Sequence, residues 1–140
     1  MKEFKATTTI NAAPETIWSI LTDGASYPEW DPYCERIEGT IAPGQKIKAF
    51  TKLAPGRAFP VKVSDLTPNK HMAWAGGMPL GLFKGERTFS LSKTGEGVEF
   101  TVREVFSGPM LVLIGRSLPD MTEPFQAFVS GLKRRAEAAS

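Results

Sequence analysis

Cysteine and histidine each occur only once in this chain of 140 residues. The single cysteine, Cys34, excludes an intramolecular disulfide, so a reducing compartment is expected. The single histidine, His71, lies in another segment and forms neither a metal-ligand spacing nor a catalytic motif with Cys34. No glycine-rich phosphate loop is present either. The sequence therefore predicts no metal and no cofactor, and His71 is interpreted as a surface residue.

Long hydrophobic runs are also absent. No segment approaches the roughly 18 consecutive apolar residues that a membrane span requires. The first ten residues alternate polar and apolar side chains, which is unlike the continuous apolar run of a signal peptide. These absences predict a cytoplasmic protein without stable membrane insertion.

Neither basic nor acidic residues are in large excess. The chain has 17 basic and 15 acidic residues, and the basic ones are spread along it instead of forming a stripe. The densest run, Lys133-Arg134-Arg135, lies at the end of a predicted helix, where cations complement the helix dipole. We therefore expect no nucleic-acid partner. Repeats and linkers are missing too, which indicates a single domain that spans residues 1–140.

Strand-like alternation dominates what is present. Residues 2–11 predict a first strand, and two short helices follow, one starting near Pro14 and one ending near Trp30. From residue 34 the hydrophobic period is two, and proline–glycine turns separate the segments. Six further strands are predicted, over residues 34–41, 45–53, 58–66, 71–75, 83–93 and 98–107.

A last helix is predicted from Ser117 to Ala139, with an apolar stripe that includes Phe125 and Phe128. Pro119 suits its first turn. Pro124 does not suit a helix interior, so it either kinks this helix or marks its true start.

The order of elements predicts an α+β fold with a curved, seven-stranded antiparallel sheet, because strands joined by short turns are antiparallel neighbours. One helix of about 20 residues is about 30 Å long. Such a helix covers part of a curved sheet and leaves the rest to collapse or to hold water or a ligand. We expect a largely apolar hollow between the sheet and the last helix.

The hairpin around Gly95-Glu96 gives the most specific local prediction. A tight turn there places Leu91 opposite Phe100, Phe89 opposite Val102 and Arg87 opposite Glu104. All six side chains share one face. Since four of them are apolar, this face is predicted to point inward, and Arg87 and Glu104 become two charges that face each other inside.

Two interpretations of the Arg87–Glu104 pair stay open. It is either a self-satisfied ion pair that orients two strands, which we favour slightly, or a polar anchor for a ligand inside an apolar cavity. The predicted ligand-binding residues are Met72, Trp74, Arg87, Phe89, Phe100, Val102, Glu104 and Phe125. Asp31, which precedes Pro32, is expected to stabilise a turn.

Three motifs, in this order and spacing, carry a family resemblance. They are A-P-x-x-I-W from Ala13, Y-P-x-W-D-P from Tyr27 and F-T-x-x-E-x-F-S-G from Phe100. With them the chain resembles the START-like (SRPBCC) superfamily, and in particular its polyketide cyclase/dehydrase and lipid-transport branch. The resemblance implies a helix-grip fold, in which the sheet wraps around the C-terminal helix and a ligand cavity lies between them.

Three functions follow as hypotheses. The first is binding or carriage of a small hydrophobic or aromatic molecule by a monomer or homodimer. The second is a cyclase or dehydratase with Glu104 as base and Arg87 as oxyanion partner. The third is a protein-interaction module that uses the apolar loops 76–83 and 108–114. We expect these loops to pack on the last helix; gating the cavity, touching a membrane transiently and forming a dimer interface are the alternatives.

Overall fold

The computed structural model describes residues 1–139 of the chain. These residues form one seven-stranded sheet and four α-helices. The elements, in chain order, are β1 (Lys2–Ile10), α1 (Pro14–Leu21), α2 (Tyr27–Trp30), β2 (Cys34–Glu38), β3 (Lys46–Thr51), β4 (Ala58–Thr67), β5 (His71–Gly77), β6 (Lys84–Thr94), β7 (Gly97–Ser107), α3 (Leu111–Ile114) and α4 (Thr122–Ala138).

The strands lie in the order β1-β7-β6-β5-β4-β3-β2, and every neighbouring pair is antiparallel. Strands β1 and β2 form the two edges because α1 and α2 carry the chain from one edge to the other. The sheet curls around α4, so the predicted α+β helix-grip fold is confirmed. Helix α4 lies against β1 and β7 and also contacts α1 and α2.

Helix α4 begins at Thr122, five residues later than predicted from the sequence. Leu118 is extended, with φ −69° and ψ 131°, because the residue before a proline avoids the helical region. The predicted start at Ser117 is therefore wrong, and Pro119 lies outside the helix. Pro124 lies in the first turn of α4, where a missing N–H leaves no helical bond unmade. It marks the start of the helix and does not kink it.

Register follows the sequence pattern in the hairpin and departs from it in β4. Strands β6 and β7 pair Leu91 with Phe100, Phe89 with Val102 and Arg87 with Glu104, as predicted. In β4 a bulge lies between Val63 and Asp65. Because of this extra residue, core-facing residues before the bulge and core-facing residues after it are an odd number of positions apart.

The core is richest in aromatic side chains where α4 crosses the sheet. The ring of Phe128 lies between 4.9 and 6.3 Å from the rings of Tyr27, Trp30, Phe89 and Phe100. Gly131 allows α4 to approach the backbone carbonyl of Trp30, since a Cβ at this position would overlap that oxygen. These contacts define the covered half of the concave face.

Candidate functional site

The concave face of the sheet divides at the first turn of α4. Phe125 packs against Phe4 of β1, with ring centroids 6.5 Å apart, and towards the start of β1 the helix no longer covers the sheet. Inward positions on this open half include Phe106 of β7 and Gly85 of β6, which are paired in the sheet. The open half is therefore bounded by the ends of the strands and by the start of α4.

Arg87 and Glu104 lie at the boundary between the two halves. Arg87 donates two hydrogen bonds, from Nε at 2.9 Å and from Nη2 at 2.7 Å, and both go to Oε1 of Glu104. The guanidinium also lies 5.0 Å from the centre of the Phe125 ring. The side chains are 25% and 14% exposed, so the pair is only partly removed from solvent.

The pair keeps hydrogen-bonding capacity that it does not use on itself. Among residues 1–139, neither Nη1 of Arg87 nor Oε2 of Glu104 has a hydrogen-bond partner. Both atoms are accessible to solvent. Within this range, the only side-chain nitrogen or oxygen atoms that are buried and lack a hydrogen-bond partner are the Nε1 atoms of Trp30 and Trp74. Oε2 of Glu104 lies near Gly85, where a Cβ would be 3.5 Å from it. One donor nitrogen and one acceptor oxygen of the pair therefore remain available.

Electrostatics connects this pair to Asp31, at the end of α2. Burial would lower the pKa of Arg87, but the charge and hydrogen bonds of Glu104, together with smaller contributions from Asp31 and Tyr27, raise it above its usual value. Burial raises the pKa of the Asp31 carboxyl, against the opposing influence of the Tyr33 N–H bond and the Arg87 charge. Asp31 thus lies within the field of Arg87, which its position before Pro32 in the sequence does not reveal.

Asp31 also stabilises a turn, as expected. Its Oδ1 accepts a hydrogen bond of 3.1 Å from the N–H of Tyr33, two residues on. Nearby, burial raises the pKa of the Cys34 thiol to about 12, with a further contribution from the Asp31 charge. Cys34 is therefore a neutral thiol at neutral pH and not a nucleophile.

The remaining predicted site residues belong to the packed interior. Four of them are 0% exposed, namely Met72, Phe89, Phe100 and Val102. Trp74 and Phe125 are almost as deeply buried, and Trp74 packs against Phe89 with ring centroids 4.8 Å apart. The structure thus brings Arg87, Glu104 and Phe125 together at the boundary of the open half. Direct ligand contact by any of the eight residues stays a prediction.

Two surface depressions lie away from this pair, with volumes of about 340 and 330 Å³. The first is lined by Pro28, Glu29, Trp30, Pro32, Gly131, Arg134 and Arg135, and the second by Glu38, Gly39, Lys46, Ile47, Lys48 and Pro60. Neither contains a residue of the predicted site, and neither presents a buried charged group.

His71 lies at the opposite end of the strands from the open half. Its Nε2 lies 2.9 Å from Oδ2 of Asp65 and 3.3 Å from the hydroxyl of Thr67, and the side chain is about half exposed. Across residues 1–139, no three His, Cys, Asp or Glu side chains are grouped so as to hold a metal ion. Within the same range, no helix is both long and apolar enough to cross a membrane.

Comparisons with known proteins agree with this architecture. Residues 1–137 match the family model described as polyketide cyclase / dehydrase and lipid transport. A comparison with curated proteins found no match.

Several solved structures share the fold. A START superfamily protein from Mycobacterium smegmatis has a TM-score of 0.69 at 20% identity, with 99% of each chain covered. The Aha1 dimer from Colwellia psychrerythraea has a TM-score of 0.72 at 24% identity, covering 98% of this chain and 97% of that one. The di-domain aromatase/cyclase StfQ of the steffimycin biosynthetic pathway has a TM-score of 0.72 at 15% identity, covering 98% of this chain and 51% of that one.

Proposed function

Because the chain belongs to the polyketide cyclase/dehydrase and lipid transport family, we propose that it binds a small hydrophobic molecule at the Arg87–Glu104 pair. The ligand carries a polar or anionic oxygen at one end. The unused hydrogen-bonding capacity of the pair is the observation that supports this proposal. A pair with a purely structural role gains most from matching all its donors and acceptors, whereas this one leaves Nη1 and Oε2 open.

The chemistry of the two open atoms defines the end of the ligand. Nη1 of Arg87 donates to a carboxylate, phenolate or carbonyl oxygen, and Oε2 of Glu104 accepts from a hydroxyl group. A carboxylic acid, a phenol or a hydroxyketone satisfies one or both. A charged end is favoured because a partly dry site strengthens a bond between ions.

Aromatic side chains around the pair match an apolar ligand body. Phe125 lies beside the guanidinium, and Phe4 and Phe106 are half-buried on the same side of the sheet, with ring centroids 6.3 Å apart. Pockets for small molecules combine such apolar walls with a few placed polar groups. Contact with the deeper predicted residues, such as Phe89 and Val102, requires these side chains to move, because they are fully packed.

Fluorescence titration with cis-parinaric acid tests the proposal, since this probe joins a carboxylate to a fluorescent hydrocarbon chain. We expect saturable binding by the wild type and at least a tenfold weaker affinity for Arg87→Gln, which removes the charge-assisted bond. Arg103→Gln is the matched control, because Arg103 pairs with Glu3 on the convex face and faces away from the site. Its affinity should equal that of the wild type.

Equal binding by the wild type and Arg87→Gln would contradict the proposed site. Native mass spectrometry of freshly purified protein provides a second measurement, because a co-purified small molecule would reveal the ligand class directly. A co-purified molecule without any oxygen function would contradict the role given to the pair.

The open carboxylate oxygen also supports a second candidate, an aldol-type cyclase and dehydratase. Glu104 would take a proton from the carbon next to a ketone, and Arg87 would stabilise the enolate oxygen. The enolate carbon would then attack a second carbonyl of the same substrate, which closes the ring, and the resulting alkoxide would take the proton from Glu104. Loss of that hydroxyl together with a proton from the neighbouring carbon would release one water and form the double bond. Turnover of a poly-β-ketone by the wild type that is lost in Glu104→Gln would favour this enzyme over the binding protein.

A further inference from the structure

One glycine lies directly beside the open oxygen of the Arg87–Glu104 pair. Gly85 is paired on both sides in the sheet, with Gly76 of β5 and with Phe106 of β7. A Cβ at Gly85 would lie 3.5 Å from Oε2 of Glu104 and 3.2 Å from the nearest atom of the Phe106 ring. The missing side chain therefore leaves space next to Oε2, which has no hydrogen-bond partner among residues 1–139.

The backbone at Gly85 does not require glycine. Its φ lies outside the left-handed region that favours glycine, and no register shift interrupts the pairing of β6 with either neighbour. The heavy atoms of other segments that lie nearest to a Cβ at Gly85 all belong to the side chains of Phe106 and Glu104. A glycine weakens a strand, and one that the backbone does not require is typical of a place where a ligand approaches closely.

Other glycines at this end of the sheet differ from Gly85, because the fold requires them. Gly77 and Gly108 have φ values of +140° and +107°. Gly76 has no such φ, but a Cβ there would lie 2.8 Å from the carbonyl oxygen of Pro60. The backbone thus accounts for these three glycines and leaves Gly85 without a structural reason.

The space over Gly85 is reachable from solvent. The expectation that the apolar loops after β5 and β7 pack on the last helix is wrong for Leu80, Val112 and Leu113. These side chains are 97%, 84% and 71% exposed, so they point into solvent and do not cover Gly85. Gly85 itself is half-buried. A ligand can therefore reach Oε2 of Glu104 from this side.

We propose that Gly85 makes the site specific for carboxylic acids that carry a hydroxyl group near the acid. This inference rests on the proposed function, in which Arg87 binds the carboxylate of the ligand. The hydroxyl group occupies the space over Gly85 and donates a hydrogen bond to Oε2 of Glu104. Gly85 makes no bond itself; its role is to keep this position free.

The hydroxyl group decides affinity because of what happens to Oε2 when a ligand binds. An acid without the hydroxyl displaces water from Oε2 and leaves the oxygen without a donor, which is unfavourable for a charged group. A hydroxylated acid replaces the lost water with a charge-assisted bond. Sites that bond a hydroxyl group reject the analogue without it more strongly than an apolar wall rejects a missing methylene.

Competition against cis-parinaric acid tests the proposal with the wild-type protein. Dodecanoic acid and its α-hydroxy and β-hydroxy derivatives share one chain and one carboxylate, so they differ only in the hydroxyl group. We expect the better of the two hydroxy acids to bind at least about tenfold more tightly than dodecanoic acid. Equal affinities of the three acids would overturn the proposal.

A matched pair of glycine substitutions tests the role of Gly85. Gly85→Ala fills the space beside Oε2 and should reduce the preference for the hydroxy acid to less than about threefold. Gly95→Ala is the control, because Gly95 lies in the turn at the other end of β6 and a Cβ there would meet nothing within 4 Å. Its preference should equal that of the wild type. An unchanged preference in Gly85→Ala, or the same loss in both variants, would overturn the proposal.

Melting temperatures separate this role from a structural one. Gly85→Ala should melt at or above the wild-type temperature, because alanine loses less entropy than glycine in a strand and the half-buried Phe106 ring can shift. Gly76→Ala should melt lower, since its Cβ would be too close to the Pro60 carbonyl. A lower melting temperature for Gly85→Ala as well would assign the missing side chain to the packing of Phe106 and would overturn the proposal.

The outcomes also separate this inference from the proposed function. Absence of saturable cis-parinaric acid binding would overturn both. Saturable binding that Arg87→Gln weakens, without any gain from the hydroxyl group, would support the site and overturn the role of Gly85 alone.

Discussion

The covered and open halves of the concave face are parts of the same strands, yet they have different chemistry. Under α4 the inward side chains of β6 and β7 include Phe89, Phe100 and Val102, each of them fully buried. A short distance along the same two strands, the inward residues are Arg87 and Glu104, with exposed fractions of 25% and 14%. The difference shows that the sheet provides the surface, whereas the helix decides which part of it becomes a packed core.

A second contrast lies across the sheet. Arg103 and Glu104 are neighbours on β7, so their side chains point to opposite faces. Arg103 pairs with Glu3 at 2.6 Å on the convex face, where the two side chains are 45% and 37% exposed. Arg87 pairs with Glu104 at 2.7 Å in a drier and more apolar setting. Similar ion pairs are therefore expected to differ in energy because their surroundings differ.

The largest loss of stability is expected in the covered half. Phe128→Ala removes a ring that packs against four other aromatic rings and leaves a cavity, so we expect a loss of about 3–5 kcal/mol in the free energy of unfolding. Phe106→Ala, in the half-buried open half, should cost less than about 2 kcal/mol. Urea denaturation measures both, and equal losses would show that the two halves are packed alike.

An intermediate effect is expected at the Arg87–Glu104 pair. Glu104→Leu alone leaves the guanidinium without its partner and should cost about 2–3 kcal/mol. The double variant Arg87→Met with Glu104→Leu should recover most of that loss, because an apolar pair fits the apolar face. Urea denaturation of the single and double variants provides the comparison.

The convex pair is the control for this experiment. Glu3→Gln removes a surface ion pair and should cost less than about 1 kcal/mol. A double variant at Arg87 and Glu104 that is less stable than Glu104→Leu would show that the fold itself depends on the charges of the pair. The pair would then be structural, contrary to its proposed role.

The smallest expected effect is the pH dependence of stability that Asp31 causes. Burial raises the pKa of Asp31 in the folded state, so its contribution to stability is fully present below the unfolded pKa of about 3.9 and is lost as pH rises through the folded pKa. Asp31→Asn cannot ionise, and its side-chain oxygen can still accept from the Tyr33 N–H. The variant should therefore be more stable than the wild type at pH 7.

Denaturation at several pH values measures this difference. The advantage of Asp31→Asn should shrink with acidification and disappear below about pH 3, where the wild-type carboxyl is protonated in both states. An advantage that is independent of pH would mean that the charge of Asp31 is not its cause.

The hairpin shows how far sequence patterns reach. A two-residue turn and alternating side chains fix which residues of β6 and β7 face each other, so the Arg87–Glu104 contact was predictable. The sequence also predicted the seven strands. Each of these features depends on local periodicity and on neighbours joined by short turns.

Other features depend on contacts between distant segments and were missed. The bulge in β4 shifts which side chains face the core, and no residue in the sequence marks its position. The pKa of Asp31 depends on burial and on Arg87, which is 56 positions away in the chain. The late start of α4 is a different case, because Pro119 is a local signal: the residue before a proline avoids the helical region, and Leu118 is extended.

The sequence by itself determined the order of strands and helices, the inward position of Arg87 and Glu104, and the family to which the chain belongs. These follow from side-chain periodicity and turn residues, which act over a few positions. Only the tertiary structure decided that most of the predicted wall is packed and that the pair leaves one donor and one acceptor open. These depend on where α4 stops covering the sheet, which is a property of packing and not of any local pattern.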